Sequence, residues 1–411
     1  MIKKMLLTFI IMVLLPLSAV AEILTIEDAI EAGLKRSMTL EAELLQYRNQ
    51  ISSQRQNFYS WLPQANVSLS KNRAMGIWDD LQGSANLNWS ISSNDPRYFE
   101  MRRQMIEMQN AALSLEDKKK NIAWQVLYRY IDVLQAQDLV NLQKDIKALE
   151  EKKYQAAIAE FKLGAATQQK VDEAELNMLG IEIRQNDLEN TLQEKRRELF
   201  YYINLEDGKE ELESLSVEPA LTVQPYRANL QFQIAGAEQE VRGLNNRQAF
   251  LNLLPELSLS YNYSQSSTGD AFEFDEYEDS SQISLRLSYS LFDIFSNQEN
   301  LKMTRRSWKF YNKTIEDIEK ANRNELNNLN NSLLVQSRNY ELYQRKSGLA
   351  LRILEQAQME YEQGELSTLD LNQYQNNYYS AREQEINGYY QVIRTSESIN
   401  LHLSENILGK W

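Results

Sequence analysis

The chain has 411 residues, no cysteine, a single histidine and a formal net charge of −14. Disulfides and lipid attachment through an N-terminal cysteine are thereby excluded, and so acidic a chain has no electrostatic reason to bind nucleic acid. With only 13 glycines and 6 prolines, the composition favours long helices over compact layers.

Met1-Ile-Lys-Lys, the apolar run Met5 to Leu17 and Ser18-Ala-Val-Ala21 form the three parts of a secretory signal, with cleavage expected after Ala21. The apolar run is too short to serve comfortably as an anchor. No other stretch is apolar enough for a membrane helix, so a membrane-spanning form of this chain must use strands. Residues 22–203 and 226–411 read as two copies of one design. The first opens with a helical pattern from Leu24 to Tyr59, where Thr25 and Asp28 make a near capping box. Trp61-Leu-Pro63 stops it, because proline cannot continue a helix. In the second copy a helical stretch from near Arg227 ends at Leu254-Pro255.

After each proline the period changes to two. Val67 and Leu69, then Ala85, Leu87, Trp89 and Ile91, alternate with serine and asparagine, giving a hairpin at 64–93. Leu257, Leu259, Tyr261 and Tyr263, then Ile283, Leu285, Leu287, Tyr289 and Leu291, give a second at 256–292. Two hairpins cannot close a sheet, and their apolar faces have no partner in the chain. A small soluble sandwich would carry mixed charges on its outer face, whereas here that face is small and neutral. A barrel shared between subunits, with its apolar face in lipid, is the favoured reading. The loop 267–281 holds Asp270, Glu273, Asp275, Glu276, Glu278 and Asp279 without a calcium-loop spacing, and is expected to be an external loop rather than a metal site.

Long helices are predicted at 96–160 and 296–360, each about 95 Å at a rise of 1.5 Å per residue. Leu326, Leu329, Leu333, Gln336, Tyr340, Tyr343, Ser347, Ala350, Leu354, Ala357 and Tyr361 mark a three-four seam. Tyr374, Tyr378, Ala381, Glu385, Gly388, Val392, Thr395 and Ile399 continue it on a returning helix, as in a coiled coil. At 161–167 and 361–367 a glycine and then a hydroxyl residue end one helix and cap the next. The first tip is Phe161-Lys-Leu163-Gly164-Ala165-Ala-Thr167 and the second Tyr361-Glu-Gln-Gly364-Glu365-Leu366-Ser367. The glycine at each tip meets the need of a left-handed residue at the end of a helix. Residues 204–225, with Gly208, Pro219 and Pro225 among acids, read as an irregular belt.

An enzyme has almost no support. His402 is the only histidine, and no Ser/His/Asp set, phosphate loop or HExxH motif is present. No cofactor and no metal is expected.

The Leu24-Thr25-Ile-Glu-Asp-Ala29 opening, the two Leu-Pro corners, Tyr289-Ser-Leu-Phe292 and both tips, in this order and duplicated, resemble the TolC-like outer-membrane efflux protein family. The resemblance covers the whole mature chain and implies a helix-dominated fold with a membrane β-barrel. Each subunit of a homotrimer would give four strands to a barrel of twelve, continued by an α-barrel across the periplasm of a Gram-negative cell. It implies a passive duct in a tripartite efflux or type I secretion system, with a periplasmic adaptor at the tips linking it to an inner-membrane transporter. It also implies that Asp370 lines the closed entrance. Gln373 stands where a second acid is often found, and Lys170 and Asp172 occupy the matching places after the first tip. An Asp370–Lys170 pairing across the gate is one expectation; ordinary solvated helix charges are the alternative. A periplasmic trimeric coiled-coil scaffold without a channel is the second functional reading, and it leaves the strands unexplained.

Overall fold

The computed structural model describes residues 23–71, 73–74, 77–78, 81–207, 211–215, 224–269, 277–363 and 365–407. The expected signal, Gly364 of the second tip, much of the belt and the centre of the acidic loop lie outside them. In chain order the elements are α1 (Ile26–Arg36), α2 (Met38–Tyr59), β1 (Gln64–Ser70), β2 (Arg73–Ala74), β3 (Ile77–Trp78), β4 (Leu81–Ser92), α3 (Pro96–Lys162), α4 (Gln168–Tyr202), α5 (Leu230–Leu251), β5 (Glu256–Gly269), β6 (Tyr277–Ser288), α6 (Asp293–Glu362) and α7 (Thr368–His402).

The segments form two compact units, each drawing on both halves of the sequence. One holds 38–118 and 226–325, including all the strands. Its sheet runs β1-β4-β5-β6, every neighbour antiparallel. β2 and β3 pair as a short separate ribbon, so the first hairpin is less simple than its alternation implied. The last strand is also shorter than expected. It ends at Ser288, which pairs with Glu256, and the next partner position is Pro255, which has no N–H to offer the ladder. Leu291 and Phe292 follow the strand and are exposed.

Local capping sets most helix ends. Thr25 Oγ1 accepts from the Asp28 amide at 3.1 Å and donates to its carboxylate at 2.7 Å. The continuous helix expected to Tyr59 is broken at Ser37, whose backbone is extended; Lys35 and Arg36 sit in the last turn of α1, where cations suit the free carbonyls. α5 starts at Leu230 rather than near Arg227 because the Asn229 side chain accepts from Phe232 N at 2.9 Å. Where β4 gives way to α3, Asp95 and Arg97 form an ion pair at 2.5 Å. Arg97 also donates to the Ser60 carbonyl at 3.0 Å and to that of Ser90, and stacks over Trp61. One guanidinium thus ties the Trp61-Leu-Pro63 corner to the end of a strand.

The other unit holds 23–37, 119–225 and 326–407 among the described residues. Its seam on α6 follows the sequence reading, with Leu326, Leu333, Ser347, Leu354 and Ala357 buried. Asn330 and Ser337 are buried beside it. A straight helix turns 3.6 residues, not 3.5, so a second column comes under cover. α7 buries two faces, Val392, Thr395 and Ile399 on one and Ile386, Tyr390 and Ile393 on the other. It bonds α6 through Thr395–Gln336 at 2.5 Å and α3 through Tyr390–Asp138 at 2.7 Å and Arg394–Asp132 at 2.5 Å. The described parts of the belt are fastened rather than loose. Leu212 bridges Leu24 in parallel, and the buried Tyr130 hydroxyl points at the carbonyls of Leu24 and Glu213 at 2.8 and 2.9 Å. Asn330 exchanges side-chain bonds with the backbone of Gln224 at 3.2 and 3.0 Å.

Candidate gate and docking tips

Both tips are built by the same hydrogen-bond wrap. At the end of α3 the amide of Ala165 reaches back to Glu160 O at 2.9 Å, and at the end of α6 the amide of Glu365 reaches Glu360 O at 2.9 Å. A bond spanning five residues closes a helix when the residue before its donor is left-handed. Gly164 has φ +73°, which an L side chain adopts only with strain. Thr167 and Ser367 then cap the returning helices. Lys170 N approaches Thr167 Oγ1 at 3.4 Å; Asp370 N donates to Ser367 Oγ at 3.2 Å, and that hydroxyl donates to the Asp370 carboxylate at 2.7 Å.

The leucines of the two tips differ. Leu163 is 84% exposed beside the exposed Ala165, whereas Leu366 is half-buried against Leu354, Ala357 and Leu371, together with Tyr361, Tyr374 and Tyr378. The exposed apolar residue of the second tip is Leu369, at 78%. It is the second residue of α7, where the three-four pattern gives no sign of its exposure.

Within one chain the predicted gate residues hold separate partners. Asp370 and Gln373, three apart on α7, are both exposed, and Gln373 bonds Asn377 along its own helix at 3.1 Å. Asp172 accepts from Gln168 at 2.7 Å. Lys170 pairs within the chain with Glu160 at 2.6 Å, not with Asp370, and this hydrogen bond holds its pKa above the usual lysine value. Glu160 closes the wrap of the same tip, so its carboxylate is the acid already at hand.

Farther up α3, Lys153 bridges to α7. Its ammonium donates to Glu150 and to Asn372 Oδ1, both at 2.7 Å, and to Gln375 Oε1. Gln375 is buried, and its amide nitrogen has no partner among the described residues. Burial lowers the Lys153 pKa, with the Glu150 carboxylate acting against that fall. Sequence reading missed Lys153; the second of two lysines after two acids, in a helix of mixed charge, carries no local signal. Above it, a cleft of about 540 Å³ between α3, α6 and α7 is lined by Asp138, Asp145, Tyr378, Arg382 and Glu385. Arg382 and Glu385 are paired there at 2.7 Å. Among the described residues no helix is long and apolar enough to cross a membrane, and no group of acids and histidines could hold a metal.

Residues 227–403 match the outer membrane efflux protein family. No curated protein matches the chain by sequence. Solved structures match nearly its full length. A membrane protein from Pseudomonas aeruginosa superposes with a TM-score of 0.75 at 15% identity, covering 92% of this chain and 93% of its own. The CmeC outer membrane channel of Campylobacter jejuni gives 0.77 at 14%, covering 94% and 87%. The outer membrane protein VceC of Vibrio cholerae gives 0.75 at 14%, covering 92% and 94%.

Proposed function

We infer that this chain, whose residues 227–403 match the outer membrane efflux protein family, is an outer-membrane export duct that works as a homotrimer. The carrying observation is the four-stranded sheet. Its edge strands β1 and β6 have no further partner among the described residues, and its apolar side chains Val67, Ile283, Leu285 and Leu287 are all at least 70% exposed. Open edges and a bare apolar face are costly in water; closure with other copies in lipid removes both. The helices offer matching surfaces, with Leu176, Leu179 and Ile183 exposed on α4 and Val335, Leu342 and Leu349 exposed at sevenfold spacing on α6. A neighbouring copy is the natural cover for such stripes.

In this reading a periplasmic adaptor docks on the tips and an inner-membrane transporter supplies the energy. The conduit itself does no chemistry. Copies of Asp370 meeting at the narrow end repel one another and favour cations. Lys170 of one copy facing Asp370 of the next remains part of this proposal, in competition with Glu160. The test is purification in detergent, mass measurement, and planar-bilayer conductance of the native protein and of Asp370→Ala. A trimer with long-lived openings, and larger ones in the variant, is expected. A protein soluble without detergent that never inserts is a scaffold, and the duct reading falls.

A further inference from the structure

Among the described side chains the polar face of the sheet carries one cation, Arg286, which forms no ion pair. Register places the even-numbered strand residues together, in rows such as Gln64–Asn88–Asn262–Gln282 and Asn66–Asn86–Ser264–Ser280. Among the described side chains of this face, every one is Ser, Asn or Gln except Glu256, Glu278 and Arg286. Ser68 and Ser84 hydrogen-bond across it at 2.7 Å. Arg286 shares a row with Ser92 and Ser258, one row from the end where β4 and β6 lead into α3 and α6.

Arg286 is exposed and has no ion pair or side-chain hydrogen bond among the described residues. Its strand is an edge, so in a closed barrel the next strand is β1 of another copy. The described residues of that face of β1 are Gln64, Asn66, Ser68 and Ser70, so no register of the seam brings a carboxylate to Arg286. Glu256, on the diagonal, instead lines a pocket of about 380 Å³ with Asn94, Asn252 and Asp293. A guanidinium stays charged at any working pH. One left without a partner on a neutral hydroxyl and amide wall is available to a passing anion.

We propose that the copies of Arg286 form a cationic collar at the inner mouth of the barrel, which draws anionic solutes, carboxylates and phosphates among them, into the exit path. This rests on the trimeric duct read above. The rest of the described face is serine, asparagine and glutamine apart from Glu256, one row away, and Glu278.

The experiment is the reversal potential of single channels under a potassium chloride gradient. Arg286→Gln is expected to lower the chloride-to-potassium permeability ratio about two-fold or more, Arg286→Glu further, and Arg286→Lys to keep the native ratio. An Arg286→Gln channel with native conductance and an unchanged ratio overturns the collar while leaving the duct intact. Should the glutamine variant fail to assemble, Arg286→Cys supplies the sole thiol of a cysteine-free chain. A cationic thiosulfonate should restore the native ratio and an anionic one lower it, and failure of both to change the current overturns the proposal. If the native protein forms no channel at all, the duct reading fails first and the collar with it.

Discussion

Lys153 on α3 and Asn372 on α7 are joined at 2.7 Å across 219 residues of sequence. The same ammonium holds Glu150 and the buried Gln375, so one lysine fixes the start of a returning helix against the opposite long helix. Removing it leaves a carboxylate and two amide oxygens facing each other with no donor. Lys153→Met should cost on the order of 2 kcal/mol, because one partner of a largely buried pair is left behind. Amide exchange should accelerate in 368–376 and stay unchanged in the strands. The pH dependence has a defined sign. Burial lowers the folded pKa of Lys153, so between that value and the ordinary 10.5 the unfolded chain binds more protons. Stability of the native protein relative to Lys153→Met therefore rises with pH through that window. A difference that is flat with pH removes the buried charge from the account.

The Asp95–Arg97 pair makes a second prediction, on the acid side. The hydrogen bond from Arg97 lowers the Asp95 pKa below 3.8, so its stabilisation is complete above that value and is lost as pH falls through the depressed one. Asp95→Asn should be less stable than native at neutral pH by about 1 to 2 kcal/mol, and the two melting curves should converge in strong acid. Convergence already near pH 5 would mean that the pair contributes little.

The tips and corners were legible in the sequence because glycine and proline act locally. Gly164 needs only its own φ, and Pro63 and Pro255 close the helical stretches before them; that Pro255 also cuts β6 short at Ser288 went unread. The α6 seam was legible because a period accumulates over many turns. Lys153 and Gln375 were hidden because they lie 222 residues apart, with no pattern linking them. Leu366 turns under its own hairpin against Leu354 and Leu371 while Leu369 stays exposed, a difference that only packing sets. The strands were legible as alternation. Which of their polar residues remain without a counter-charge depends on register and sheet order, which alternation alone does not give.

Exposure sets the docking prediction. Leu163 and Leu369 are bare, whereas Leu366 is part of the hairpin's own core. Leu163→Asp and Leu369→Asp should leave the melting temperature within the range of neutral surface changes but, on the proposed duct reading, reduce cross-linking to an adaptor and export in cells. Leu366→Asp should lower stability first. If Leu163→Asp and Leu369→Asp both export normally with a stable fold, the tips do not dock through these leucines.

One close contact between α6 and α7 depends on a missing methyl group. A Cβ placed on Gly388 would lie 2.9 Å from Tyr343 Cδ2 and 3.6 Å from Tyr340 Cδ2. Both tyrosines belong to the seam of α6, and the Tyr340 ring also meets Tyr389 at 5.8 Å between centroids. Inside a helix, alanine gains about 1 kcal/mol over glycine in backbone preference. Here that gain competes with displacement of an aromatic ring in a packed seam, which costs about 1 to 3 kcal/mol. Gly388→Ala should therefore be destabilising, and Tyr343→Ala combined with it should recover the helix preference, so that the pair is more stable than Tyr343→Ala alone. Thermal melts of the four proteins in one detergent check this. If Gly388→Ala is itself more stable than native, the ring yields freely and this seam is not close-packed at that point.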